Sequence, residues 1–213
     1  MTTVARSPFS IYHSCYEAWF MRHKAAYHSE LLAIRALMPW RGLGLEIGVG
    51  SGRFAAPLGI EIGIDPSMAM LTYSIKRGVA GIQGVAEALP FKNAVFDYGL
   101  VVTTICFVED PKAMLNEARR VLKPAAPLVI GFVNRASMLG QNYLRHQAEN
   151  VFYREARFYS TLEVEKLLDE TGFFDQTWAQ TLSRPLWEIR EIEPVREGRD
   201  DGGFVVVSAR RLL

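Results

Sequence analysis

The stretch Leu45-Glu46-Ile47-Gly48-Val49-Gly50-Ser51-Gly52-Arg53-Phe54-Ala55 decides the fold. It begins as an apolar strand, turns through three alternating glycines and resumes as a helix. Seventeen residues beyond Gly48 stands Asp65, at the end of a second apolar run, Ile60 to Ile64. Glycines at a strand-to-helix turn let backbone N–H groups approach a ligand where a side chain would collide. A carboxylate at the tip of the next strand can grip a ribose diol. Strand, turn, helix, strand and acid together read as a nucleoside-binding half-site.

Downstream, the alternation continues. Asp65-Pro66-Ser67 opens a helix to about Lys76, with Asp65 or Ser67 as its cap. Val79–Val85 reads as a third strand, and Val95–Thr103 as a fourth that is apolar almost throughout, as a buried parallel strand should be. Asp110-Pro111 caps a helix over 111–122, which Lys123-Pro124 ends, and Pro127–Val133 is a fifth strand. Strands alternating with helices predict an α/β Rossmann-like three-layer sandwich with its loops gathered on one edge of the sheet.

Upstream, Ile11–Leu37 lacks Gly and Pro and carries Tyr12, Tyr16, Trp19, Phe20 and Tyr27 at mostly helical spacing. One broken or two short helices are expected, after a frayed start over 1–9. These rings either pack the helices on the domain or cap the nucleoside site. Residues 134–160 break the rhythm with Arg135, Arg145, His146, Arg154 and Arg157 set among five aromatic residues, and a helix over about 137–149. A helix over 161–170 with Thr161 as cap, a strand Phe173–Leu182, a charged connection over 183–203 read as solvated, and a β-branched strand Phe204–Arg210 complete the chain. The expected organisation is one domain across 1–213, with a helical cap over 10–38 and a lid insertion over 134–160.

Composition bounds the partners. A net charge of +1 over 213 residues offers no general field for nucleic acid or an anionic membrane. The two cysteines, Cys15 and Cys106, match no zinc spacing and form no disulfide framework. No metal is expected. No signal-peptide pattern or long apolar run is present, so a cytoplasmic protein is expected, acting as a monomer or homodimer on a small molecule.

Two nucleoside cofactors fit the first half. Gly50-Ser51-Gly52-Arg53-Phe54-Ala55 satisfies the dinucleotide pattern G-x-G-x-x-A. Gly48, however, extends the register to E-x-G-x-G-x-G, with Glu46 on the strand before the turn. A carboxylate there repels a pyrophosphate and suits a cationic aminoacyl end. The wider set of motifs is Glu46–Gly52, Gly63-Ile-Asp-Pro-Ser67, Ala86-Glu-Ala-Leu-Pro-Phe91, Phe96-Asp97 and Ala118-Arg-Arg-Val-Leu-Lys-Pro124. In order and spacing this set resembles the class I S-adenosylmethionine (SAM)-dependent methyltransferases, in particular the small-molecule group with the Leu-Pro-Phe signature. The resemblance covers about residues 43–133.

That resemblance implies a seven-stranded sheet, order 3-2-1-4-5-7-6 with strand 7 antiparallel, and SAM as cofactor with S-adenosylhomocysteine as product. It implies that Gly48, Gly50 and Gly52 pass under the methionine portion, Glu46 orients the amino group and Asp65 accepts the ribose hydroxyls. Pro66, Ser67 and Met68 would line the adenine, Ala86 and Glu87 would contact its edge, and Thr103 and Thr104 would face the donor methyl. The family commonly has an acid where this chain has Val85, and a His-His pair where it has Cys106 and Phe107. For a base or substrate anchor the candidates are Tyr12, His13, Tyr16, Tyr143 and His146, with Tyr16 first as the catalytic residue. The expected reaction is methyl transfer to a small molecule by in-line displacement. The alternatives are a SAM-binding regulatory or accessory protein without turnover, and a nicotinamide-dependent oxidoreductase.

Overall fold

The computed structural model describes residues 7–212. Its strands are β1 (Gly44–Ile47), β2 (Ile62–Asp65), β3 (Ala80–Gln83), β4 (Tyr98–Val102), β5 (Pro127–Val133), β6 (Phe173–Thr181), β7 (Arg196–Glu197) and β8 (Phe204–Arg211). The helices are α1 (Pro8–Ile11), α2 (His13–Arg22), α3 (Lys24–Leu37), α4 (Ala55–Leu58), α5 (Met68–Lys76), α6 (Pro111–Val121), α7 (Met138–Arg145) and α8 (Thr161–Glu170).

The strands form one sheet in the order β3-β2-β1-β4-β5-β8-β6-β7. The first five pair in parallel, and β8 runs antiparallel between β5 and β6. This is the expected order with one addition. The two-residue β7 pairs with the outer edge of β6, so the sheet has eight strands and β8 takes the place predicted for strand 7.

Successive residues of the central strands point to opposite faces. Leu100, Val102, Phe204 and Val206 join a core with α3 on one side, while Val101, Val205 and Val207 join a core with α6 and α8 on the other. Burying both faces explains why β4 and β5 are apolar along nearly their whole length. Parallel pairing then puts the C-terminal ends of β1, β2, β3, β4 and β5 on one edge, where the connecting loops build a site.

Helix starts follow from side-chain oxygens that satisfy the free N–H groups of the first turn. Ser67 accepts from Met70 N–H at 3.3 Å, and Asp110 accepts from Lys112 and Ala113 N–H. At α8 the cap is Ser160, not Thr161: Ser160 and Glu163 form a reciprocal capping box. The helix expected over 137–149 is α7 followed by a short 3-10 turn, Gln147–Glu149. Of the start expected to fray over 1–9, residues 1–6 lie outside the described residues, and Pro8 and Phe9 belong to α1.

The connection over 183–203 is not simply solvated. Glu193 is buried and accepts from the Ser183 backbone and hydroxyl and from Arg184 Nε. Its own N–H donates to Ser29 Oγ on α3 at 2.8 Å. This acid ties the connection to the cap helix, which a charge run read without its contacts does not show.

Candidate functional site

The glycine turn leaves β1 with Gly48, Gly50 and Gly52 all in the left-handed region, at φ of 76°, 50° and 76°. Space as well as backbone demands glycine at position 48. A Cβ there would lie 2.1 Å from Thr104 Oγ1, just beyond β4. The turn is also anchored from β2: Gly48 and Val49 N–H donate to the Ile64 carbonyl, and Gly50 N–H donates to Asp65 Oδ2 at 2.9 Å.

Asp65 therefore works in both directions. Its other oxygen, Oδ1, accepts from Ser67 N–H at 2.8 Å at the start of α5. Each carboxylate oxygen keeps a second lone pair, and these are what a ribose diol would meet. Burial pushes the Asp65 carboxyl up to about 6, against the pull of the Ser67 and Gly50 N–H groups.

Glu46 is buried inside β1, and its Oε2 has no hydrogen-bond partner. Burial drives its carboxyl well above the ordinary carboxylate range, the Ala55 N–H opposes this, and the Asp65 charge adds to the rise. A buried carboxylate oxygen without a partner is costly unless a ligand supplies the cation or donor. An ammonium-bearing aminoacyl group meets that need and a pyrophosphate does not. The residues present thus fit SAM: a glycine cradle, an unpartnered buried acid for the amino group, and an acid at the tip of β2.

The other predicted contacts divide. Ser67 is buried at the site, but its hydroxyl is 2.8 Å from Ser10 Oγ in the cap, while Met68 is 52% exposed. Pro66 lies between them, its carbonyl accepting from Gln83 Nε2. Ala86 is buried, and Glu87 Oε1 accepts from Glu109 N–H, which ties the loop after β3 to the loop after β4. Thr103 holds a left-handed φ of 52° and donates its N–H to the Gly131 carbonyl, but Thr104 is the residue packed against Gly48. Cys106 is buried, donates to the Thr103 carbonyl, and has its thiol pushed far up by burial, which excludes an activated nucleophile. The Leu89-Pro90-Phe91 turn is held from α6: Leu89 N–H donates to Glu117, and Arg120 donates to the Leu89 and Phe91 carbonyls.

The cap and the lid meet over this edge of the sheet. Phe152 in the 134–160 segment packs on Phe9, Tyr12 and Tyr16, with centroids 5.3, 6.4 and 6.0 Å away. Burial first, then the charges of Glu46, Asp65, Glu17 and Glu30, raise the Tyr16 phenol far above its ordinary value. A phenol shifted in this direction keeps its proton. His13 bonds to the Tyr73 hydroxyl, and His146 is exposed with Nδ1 on the Asn142 carbonyl. Arg145, Arg154 and Arg157 are exposed and Arg135 pairs with Glu163, so the lid arginines do not converge on a ligand.

The role of Glu17 was not singled out from the sequence. Glu17 on α2 bonds through Oε2 to both Arg53 and Arg77, and Arg77 Nη1 donates to the Ser51 carbonyl at 2.7 Å. The Tyr27 hydroxyl donates to the Arg53 carbonyl. These bonds latch the cap onto the glycine turn. A single acid within an aromatic helical run was the only signal available for Glu17. No described helix is long and apolar enough to cross a membrane, and the described residues include no group of three or more His, Cys, Asp or Glu placed to hold a metal.

Known proteins are similar to this chain in sequence and fold. Residues 45–130 match the family model described as a methyltransferase domain. An uncharacterized protein of Methanocaldococcus jannaschii is 41% identical over 204 residues, covering 96% of this chain and 98% of its own. A Thermotoga maritima protein, described as a SAM-dependent methyltransferase and possible histamine N-methyltransferase, is 47% identical with a TM-score of 0.94, over 96% of this chain and 98% of that one. Phosphoethanolamine N-methyltransferase 2 of Haemonchus contortus, solved with S-adenosyl-L-methionine, shares the fold at 16% identity and a TM-score of 0.63, over 87% of this chain and 53% of that one. With the glycine cradle, Glu46 and Asp65 in place, and with relatives of this identity along nearly its whole length, the chain belongs to the SAM-dependent methyltransferase family.

Proposed function

We propose that this protein transfers a methyl group from SAM to a small molecule held beneath the cap and the lid, by in-line displacement, as a member of the group that shares the Leu-Pro-Phe turn. The observation that carries the reading is Glu46 Oε2, buried and unpartnered beside the glycine cradle. SAM supplies a methyl group on a positively charged sulfur. The chain's residues bind, orient and exclude water. Gly48, Gly50 and Gly52 give the backbone room, Glu46 receives the amino group, and Asp65 receives the ribose hydroxyls on the lone pairs that Gly50 and Ser67 leave free. Ser67 and Ala86 line the adenine side.

Tyr16 is assigned a positioning role. A phenol held far above its ordinary pKa is a poor base but can still donate a hydrogen bond and present a ring face to a cation. The name of the Thermotoga maritima relative makes a nitrogen acceptor the first to assay.

The test is calorimetric titration of SAM, S-adenosylhomocysteine and NAD against the wild-type chain and Asp65→Ala. SAM and S-adenosylhomocysteine bind and NAD does not, and the variant binds both at least about tenfold more weakly, since hydrogen bonds to a charged group contribute about 1.5–3 kcal/mol. Unchanged affinity in Asp65→Ala overturns the ribose placement, and binding of NAD alone overturns the reading.

A further inference from the structure

Glu30, Glu46 and Glu193 are buried glutamates. Glu193 is fully paired and Glu46 belongs to the cofactor residues. Glu30, 7% exposed, makes no hydrogen bond and no ion pair with any described residue. It lies on α3 one turn before Ile34, whose side chain packs against Gly131 of β5, and one turn after Ala26. Ala26, Ala33 and Ile34, on the same face of α3 as Glu30, belong to one core cluster, and Tyr16 of the cap, Tyr143 of α7 and Tyr153 of the segment after α7 pack against that cluster. Burial raises all three phenols, and the Glu30 charge adds to the rise. Tyr143 and Tyr153 are 5.0 Å apart between centroids, and Tyr153 stacks on Phe107 at 5.8 Å. Tyr16 is the chain neighbour of Glu17, which bonds to Arg53 just after the glycine turn, so its helix reaches from the turn to the α3 cluster.

A carboxyl buried on an apolar helix face, with no donor and no cation, costs stability that an apolar residue of similar volume would not. Nothing in the fold uses it. A ligand bearing a cation removes the cost, and the ring faces around it add cation–π attraction.

We propose that Glu30 anchors the methyl acceptor: its carboxylate receives the ammonium group of a small amine enclosed by Tyr16, Tyr143 and Tyr153, and takes the proton that the nitrogen must shed to become nucleophilic. The assignment rests on the methyl-transfer reading above and names the substrate class of that same site. The proton transfer balances: R–NH3⁺ and a carboxylate become R–NH2, with its lone pair free, and a neutral carboxylic acid. That proton passes to solvent when the site reopens. Burial favours the neutral acid and so favours the direction of transfer, in keeping with a Glu30 carboxyl pushed up to about 8.

The test is calorimetric titration of the chain saturated with S-adenosylhomocysteine, using histamine, tyramine, 2-phenylethylamine and the uncharged 2-phenylethanol. At least one amine binds and the alcohol does not. Glu30→Gln weakens amine binding at least tenfold and leaves S-adenosylhomocysteine binding unchanged, which also reports that the variant is folded. Glu30→Asp retains the preference for amine over alcohol at intermediate affinity. Amine affinity in Glu30→Gln within twofold of wild type, or no amine binding by a wild-type chain that holds S-adenosylhomocysteine, overturns the proposal and leaves the methyl-transfer reading standing. A wild-type chain that binds no S-adenosylhomocysteine overturns both.

Discussion

Replacing Glu30 by Gln should stabilise the chain, and by an amount that depends on pH. Burial moves the Glu30 carboxyl from the ordinary 4.5 to about 8. Below pH 4.5 the folded and unfolded chains both carry the proton, and Glu30 costs nothing for its charge. Between 4.5 and about 8 the unfolded chain ionises while the folded chain keeps the proton, so stability falls by about 1.4 kcal/mol per pH unit. Above pH 8 the loss levels off at about 5 kcal/mol, the product of that slope and the shift. Glutamine fills the same volume and cannot ionise. Urea denaturation of wild type and Glu30→Gln, without amine, at pH 5, 7 and 9 measures the difference. The two chains should be within about 1 kcal/mol at pH 5 and diverge in favour of Glu30→Gln as pH rises, a gain worth roughly 10 °C or more in Tm at pH 9 for a chain of this size. A difference that does not change with pH, or a Glu30→Gln chain less stable than wild type at pH 9, refutes the placement of Glu30 as an unpaired buried acid.

Other expectations concern the cradle and the cap. Gly48→Ala puts a Cβ 2.1 Å from Thr104 Oγ1 at a φ of 76°, so it should cost at least about 2 kcal/mol in denaturation and lose measurable S-adenosylhomocysteine binding; near-native stability would contradict the turn described. Glu17→Gln removes the charge shared by Arg53 and Arg77 and should raise protease cleavage within 8–22 and speed S-adenosylhomocysteine release several-fold, with little change in overall Tm. Tyr16→Phe should keep kcat within about tenfold of wild type and leave the pH–rate profile unchanged, because a phenol that stays protonated supplies no base, whereas general-base catalysis is worth about 10²–10⁴-fold. Loss of activity on that larger scale would restore Tyr16 as the base.

The accuracy of the sequence reading tracks how local each determinant is. Gly48, Gly50 and Gly52 are set by backbone torsion and one close contact, Asp65 by the end of its strand, and Asp110 by its cap, so each is legible within a few residues. Ser160 was missed because Ser-Thr offers two caps and only the reach of Glu163 back to Ser160 chooses between them. The Ser67 hydroxyl meets Ser10, fifty-seven residues earlier, a contact that no local pattern announces. The charged run 183–203 reads as solvated in the sequence because the bond from the Glu193 N–H to Ser29 joins residues 164 positions apart.

By itself the sequence determined the alternation of strands and helices and the glycine turn, because hydrophobic period and turn chemistry are written in short stretches, while the sheet order and the donor came with the family resemblance that those motifs carry. The tertiary structure decided what lies around the glycine turn: that the cap and the 134–160 segment meet at Phe152, that Glu17 latches the cap to the turn, and that Glu30 is buried with no partner among the described residues. The physical reason is that a carboxyl's cost or use depends on what surrounds it. For Glu30 the surroundings come from segments more than a hundred residues apart, which only folding brings together.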